Sequence, residues 1–147
     1  MEHSDKTENR SLSRHEERKQ ALDFVYERLF RDDDVEEAFE DAMDARDTKV
    51  SSYTRTVVKG VEEHLQEIDE LIEKNLKGWK KNRISKVSLT IMRIAVFEML
   101  YIDSIPVSVS INEAVELAKN YATAEDGAFV NGVLGSISKT VQKNGEE

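Results

Sequence analysis

The 147-residue sequence carries 30 acidic residues against 21 Lys and Arg, a formal net charge of −9 at pH 7, and no cysteine. A hydrophobic fraction of 39% supports one packed domain, or two helical halves sharing a core, while 35% charged residues demand a broad solvated surface. These totals exclude disulfides, a thiolate nucleophile and cysteine metal sites, and they oppose nonspecific nucleic-acid binding, because each phosphate contact is made against a repulsive field.

One proline, Pro106, and six glycines leave long stretches free to be helical, and no alternating strand pattern appears. The chain therefore reads as all-α, with about seven helices, as one domain or as two helical halves sharing a core. Residues 1–12 read as a disordered arm. Met1 to Gln20 lacks the apolar run of a signal peptide. A first helix is predicted from Ser13, where Ser13 and Glu16 form an S-x-x-E capping box. Ala21, Leu22, Val25 and Leu29 recur at helical spacing, broadened by Phe24, Tyr26 and Phe30. Asp34 can cap a short second helix carrying Val35, Ala38, Phe39, Ala42 and Met43.

Ser51 or Ser52 opens a third helix with Tyr53, Val57, Val58 and Val61 inward. The pattern continues through Leu65, Ile68, Leu71, Ile72 and Leu76, and two helices with a break near His64 to Asp69 fit it best. From Val87 to Ile102, twelve of sixteen residues are apolar and lie on every side of a helix, the mark of a helix surrounded by others. Its interruptions at Ser88, Thr90, Arg93 and Glu98 make it a buried post rather than a membrane span. Ser110 and Glu113 suggest a second capping box, with Ile111, Ala114, Val115, Ala118 and Tyr121 following. Thr123 is expected to cap a last helix from about Glu125 to about Val141. There Ala128, Gly132 and Gly135 form a small-residue stripe suited to a close neighbour. The halves are expected over about 13–76 and 84–141 within one domain of residues 13–141, with a frayed tail at 142–147.

Nothing in the pattern is catalytic. His3, His15 and His64 lack metal-ligand spacing and read as solvated surface histidines. Asp32, Asp33 and Asp34 lack the glycine and downstream glutamate of a calcium loop. No cofactor is implied, and a cytoplasmic protein is the simplest reading. Acid gathers at Glu27 to Lys49 and at Glu62 to Glu73. Lys74 to Lys86 instead holds six basic residues and Trp79 with no acid. That segment either contacts phosphates, with Trp79 stacking on a base, or is a solvated helix end where lysines complement the dipole. The second is favoured.

Several segments, in order, resemble the bacterial NusB family of transcription antitermination factors. Ile105-Pro106-Val107-Ser108-Val109-Ser110-Ile111-Asn112-Glu113-Ala114-Val115-Glu116-Leu117-Ala118-Lys119 is similar to its I-P-x-x-V-x-I-N-E-A-V-E-L-A-K signature, and Phe129-Val130-Asn131-Gly132-Val133-Leu134 follows. Upstream, Trp79 with Arg83-Ile84, and Ile91 to Leu100, resemble its W-x-x-x-R-I and L-R-x-A-x-Y-E-L-L stretches. Arg14-His15, Arg18-Lys19, Ala21 and Tyr26 resemble its basic first helix.

The resemblance implies an all-helical, non-catalytic protein of two packed helical subdomains that binds boxA-like single-stranded RNA, notably of ribosomal RNA leaders, together with ribosomal protein NusE. Other Nus factors and RNA polymerase complete the implied assembly, with no membrane partner. It assigns Arg14, His15, Arg18 and Lys19 to phosphates, Tyr26, Tyr121 and Phe129 to bases, and Thr123 and Glu125 to the RNA-facing turn. Lys86 and Ser88 are the positions expected to meet NusE. For each aromatic a core position competes with the RNA role. Glu16 and Glu17, Ala128 in place of a lysine, and Ser88 in place of a carboxylate depart from the family pattern. They predict weak intrinsic RNA binding, with NusE supplying much of the affinity. An RNA methyltransferase carrying the same helical module is disfavoured because 147 residues leave no room for a catalytic domain. The alternative that remains is a helical protein–protein adaptor without RNA binding, and a homodimer that hides the RNA surface is compatible with either.

Overall fold

The computed structural model describes residues 12–46, 48–78 and 83–141. Most of the arm expected over 1–12, His3, Trp79 with Lys80 and Lys81, and the tail 142–147 lie outside the described residues. Among those described there are seven α-helices: α1 (Arg14–Arg28), α2 (Val35–Arg46), α3 (Ser52–Glu63), α4 (Leu65–Lys74), α5 (Lys86–Tyr101), α6 (Val107–Tyr121) and α7 (Ala124–Ser138). None is long and apolar enough to cross a membrane.

Local chemistry sets most of the starts. Ser13 Oγ accepts from Glu16 N at 3.1 Å while Ser13 N donates to Glu16 Oε1 at 2.9 Å, closing the predicted box. The Asp34 carboxylate accepts from Glu36 N and Glu37 N. Ser51 caps α3 through Thr54 N, Ser85 caps α5 through Ser88 N, and Thr123 caps α7 through Asp126 N. The break between α3 and α4 falls on His64 alone (φ −111°, ψ 20°), the upstream edge of the expected interval. It turns the chain so that Val57, Val58 and Val61 before it, and Ile68 and Ile72 after it, all stay buried.

Two expectations fail here. Ser110 and Glu113 do not cap a helix: α6 starts at Val107 behind Pro106, which supplies the fixed φ (−60°), and Pro106 O accepts from Val109 N and Ser110 N. Spacing i, i+3 is also the spacing of one helix face, and these side chains use that face to reach α5 and α1. The stripe of Ala128, Gly132 and Gly135 faces outward, since a Cβ at Gly132 or Gly135 would meet nothing within 4 Å. The packed face of α7 runs through Gly127, Val130, Val133, Leu134 and Ile137, one residue around the helix. α7 also ends at Ser138, short of Val141.

α5 is the post the sequence predicts, touching α1, α3, α4, α6 and α7, with every residue from Thr90 to Met99 buried. Gly60 lets α3 close on it: a Cβ there would sit 2.1 Å from Phe97 Cε1. α2 joins through Phe39, edge-on to Phe24 at 5.1 Å between centroids, with the Arg55 guanidinium 5.1 Å from its ring centre. Burying charge in α5 requires partners. Arg93 donates twice to the Asp69 carboxylate at 2.8 Å.

Candidate nucleic-acid interface

The basic residues of α1 separate by helical angle. Arg18 falls among Ala21, Leu22 and Val25, is only 4% exposed, and reaches inward. Its Nε and Nη2 donate to Glu98 at 2.8 and 3.0 Å. Glu98 also accepts from Ser110 Oγ at 2.7 Å and from the Tyr53 hydroxyl. Burial alone would lower the Arg18 pKa, but the hydrogen bond and charge of Glu98 outweigh it and leave it raised. Burial, then the charge of Glu98 and the hydrogen bond to it, push the Tyr53 phenol far above its usual range. Arg18 thus joins α1 to α3, α5 and α6 from inside and offers no phosphate a contact.

The other three stay outward. The Arg14 guanidinium lies 4.4 Å from the Tyr53 ring centre, and its side chain is half exposed. His15 Nδ1 sits 3.0 Å from Glu113 Oε1, and Glu113 also lies 3.6 Å from Arg18 Nη1. His15 is therefore tied to α6 rather than merely solvated. His64, likewise read as solvated, stacks on Tyr101 at 4.2 Å. Lys19 lines a shallow groove with Leu12, Glu16, Gln20, Asp23, Phe24, Arg46 and Thr48.

His15, Lys19 and Tyr26 share one flank of α1, and that flank leads to a cleft of about 210 Å³. Leu22, Asp23, Tyr26 and Glu27 of α1, Val87 of α5 and Tyr121 of α6 line it. Tyr26 and Tyr121, distant in sequence, thus face the same space. Tyr26 is steadied edge-on by Phe30 at 5.5 Å, and Tyr121 is 48% exposed. Phe129 is half-buried, with part of its ring against the hydrophobic core. Thr123 Oγ1 is engaged with Asp126 as a cap, and Glu125 is exposed on the first turn of α7. Lys86 is exposed at the start of α5, while Ser88 is fully buried, its Oγ without a hydrogen-bond partner among the described residues. Partial desolvation, then the like charge of Glu27, raises the Asp23 carboxyl above its usual range.

The pairs Arg18–Glu98 and Arg93–Asp69 escaped the reading of the sequence. A usable signal existed: a charge on the apolar face of one helix requires an opposite charge on another.

Fold and surface together define a helical binding module. Its strongest polar chemistry is paired inside, and rings and cations are displayed outside. The NusB family model matches residues 15–139. Transcription antitermination protein NusB of Acetivibrio thermocellus is 45% identical over 130 residues, spanning 87% of this chain and 90% of that protein. The Exiguobacterium sp. protein of the same name is 42% identical, spanning 87% and 98%. Among solved structures, T. maritima NusB superposes with a TM-score of 0.77 at 37% identity, covering 88% of this chain and 92% of that one. A structure of antitermination factors NusB and NusE in complex with double-stranded RNA gives 0.74 at 28% identity, covering 88% and 99%. The chain belongs to the NusB family.

Proposed function

We propose that the protein is a transcription antitermination factor that binds boxA-type nascent RNA, including ribosomal RNA leaders, jointly with NusE. It does so without catalysis, in the cytoplasm, as part of a Nus-factor assembly on RNA polymerase. The carrying observation is the track on α1: His15 and Lys19 precede a cleft where Tyr26 and Tyr121 converge, so that nitrogen donors for phosphates and rings for bases follow one another as a single strand requires. The neighbouring structure that holds NusB with NusE and double-stranded RNA supports NusE and RNA as partners, while the single-stranded target rests on the track itself. Arg14, His15 and Lys19 serve phosphates. Arg18 serves as the internal anchor that sets the pose of α1. The exposed Lys86 contributes to the NusE face. Ser88 supports that face from beneath.

The net charge of −9 favours the adaptor alternative and makes salt the informative variable. Fluorescence anisotropy of a boxA-like single-stranded RNA, with and without NusE at two salt concentrations, decides between them. Binding strengthened by NusE and weakened by salt is expected. Capture of NusE with no RNA binding in either condition leaves the adaptor.

A further inference from the structure

The cleft between α1, α5 and α6 holds polar groups that the fold leaves unused. Glu27 is engaged, accepting from Arg46 Nη2 at 2.9 Å. Asp23, one turn earlier on the same rim, has neither hydrogen bond nor ion pair among the described residues; Arg46 and Lys19 reach it only through their fields. The hydroxyls of Tyr26 and Tyr121 are likewise without hydrogen-bond partners among those residues. A carboxylate on an RNA track repels the backbone, and in a chain of charge −9 nothing offsets that repulsion globally. Only the hydrogen-bond donors of the RNA gain from it, a ribose 2′-OH or the donor edge of a base, and of these only a base edge can present two donors side by side.

An ionised carboxylate is acceptor-only and takes two parallel donors at once. Among the four RNA bases, guanine alone presents two adjacent donors, N1–H and the N2 amino group, on its Watson–Crick edge. Adenine and cytosine place one amino group beside an acceptor nitrogen, and uracil places one N–H between two carbonyls. We propose that this cleft takes an unpaired guanine, its ring against Tyr26 and Tyr121 and its N1–H and N2 amino group donating to Asp23. Asp23 is then the residue that sets base identity at this position, while the tyrosines supply sequence-tolerant stacking. The inference rests on the RNA-binding reading above.

The test uses the full chain with NusE and fluorescein-labelled, U-rich single-stranded RNAs that carry one central guanine, inosine, adenine or cytosine. Guanine is expected to bind about tenfold more tightly than adenine or cytosine, as for a good bidentate contact. Inosine, which keeps N1–H and lacks the amino group, should fall between. Asp23→Asn should reduce these differences to within about twofold, with circular dichroism unchanged because Asp23 stands at the rim. Asp103→Asn, on the exposed turn after α5, should leave them intact. Discrimination that survives Asp23→Asn, or its absence from the wild-type chain, overturns the guanine assignment alone. Failure of every RNA to bind overturns the RNA reading and this assignment together.

Discussion

Arg14 and Arg18 stand one turn apart on the same helix and are the same residue, yet they meet opposite fates. Arg14 lies over Tyr53 with half its side chain in water, whereas Arg18 is held inside by Glu98. The interior cluster is saturated: Glu98 takes up Arg18, Tyr53 and Ser110, and Arg18 also faces Glu113. The cleft at Tyr26 and Tyr121 is the reverse, with Asp23 and both phenols unpaired among the described residues. A fold uses its charges either to fix helices relative to one another or to meet a ligand, and the difference lies in whether the acceptors are already occupied.

Breaking the interior side of this contrast should have the largest effect. Glu98→Ala leaves Arg18 buried without its partner, and removing one member of a buried pair costs about 3–5 kcal/mol. Urea denaturation should show the midpoint falling accordingly. A joint Arg18→Met/Glu98→Leu change should recover much of that loss, because it removes both charges. A double variant as unstable as Glu98→Ala would show that Tyr53 and Ser110, not Arg18, are the partners that matter.

The glycines offer the same contrast in steric form. Gly60→Ala drives a methyl group to within 2.1 Å of the Phe97 ring, which is itself buried, and overpacking of that kind costs about 1–3 kcal/mol. Gly132→Ala meets open space in mid-helix and should stabilise α7 by up to about 1 kcal/mol. Thermal melting of the two variants should therefore move in opposite directions. Equal losses would mean that α7 packs on its glycine stripe after all.

The sequence made local features legible because local rules govern them. Ser13, Asp34, Ser51 and Thr123 act within three residues of themselves; each caps where the pattern put it, Ser51 as one of the two serines offered there. The all-apolar stretch of α5 likewise announces a central helix. Arg18 was hidden because its partner lies 80 positions away, and periodicity carries no information about which charged residue on a buried face finds another. Ser110 and Glu113 misled for a related reason: three-residue spacing describes both a cap and a helix face. The individual aromatics of the site were legible through the family motifs. Their meeting at one cleft with Asp23 was not, because it depends on how α1 crosses the ends of α5 and α6.

On the surface side, Arg14→Ala and Lys19→Ala should leave stability within about 0.5 kcal/mol and lower RNA affinity several-fold. Removing one phosphate-binding cation should also flatten the dependence of log affinity on log salt by about 0.7. Arg18→Ala should lower stability, and with it affinity, while leaving the salt slope unchanged, so denaturation and salt-dependent anisotropy on the same samples separate the two arginines. A salt slope unchanged in Arg14→Ala and Lys19→Ala would move the phosphate track elsewhere, with the Lys74 to Lys86 segment next in line.

The smallest effect concerns Asp23 and has a definite sign. Its folded pKa is raised above the ordinary 3.8, by desolvation first and Glu27 second. A carboxyl raised on folding favours the folded state only while protonated, so it opposes folding increasingly as pH climbs through the folded pKa. Asp23→Asn should therefore stabilise the protein slightly at pH 7, and the gain should fade as pH drops below about 4. Because the group is partly solvated the shift is a small one, best read as a difference in melting temperature between variant and wild type across pH. A gain in stability accompanied by loss of base discrimination would show that the residue is kept for binding at the expense of the fold. A loss of stability at pH 7 would mean instead that the fields of Lys19 and Arg46 outweigh desolvation, and that Asp23 belongs with the paired charges of the interior rather than with the open cleft.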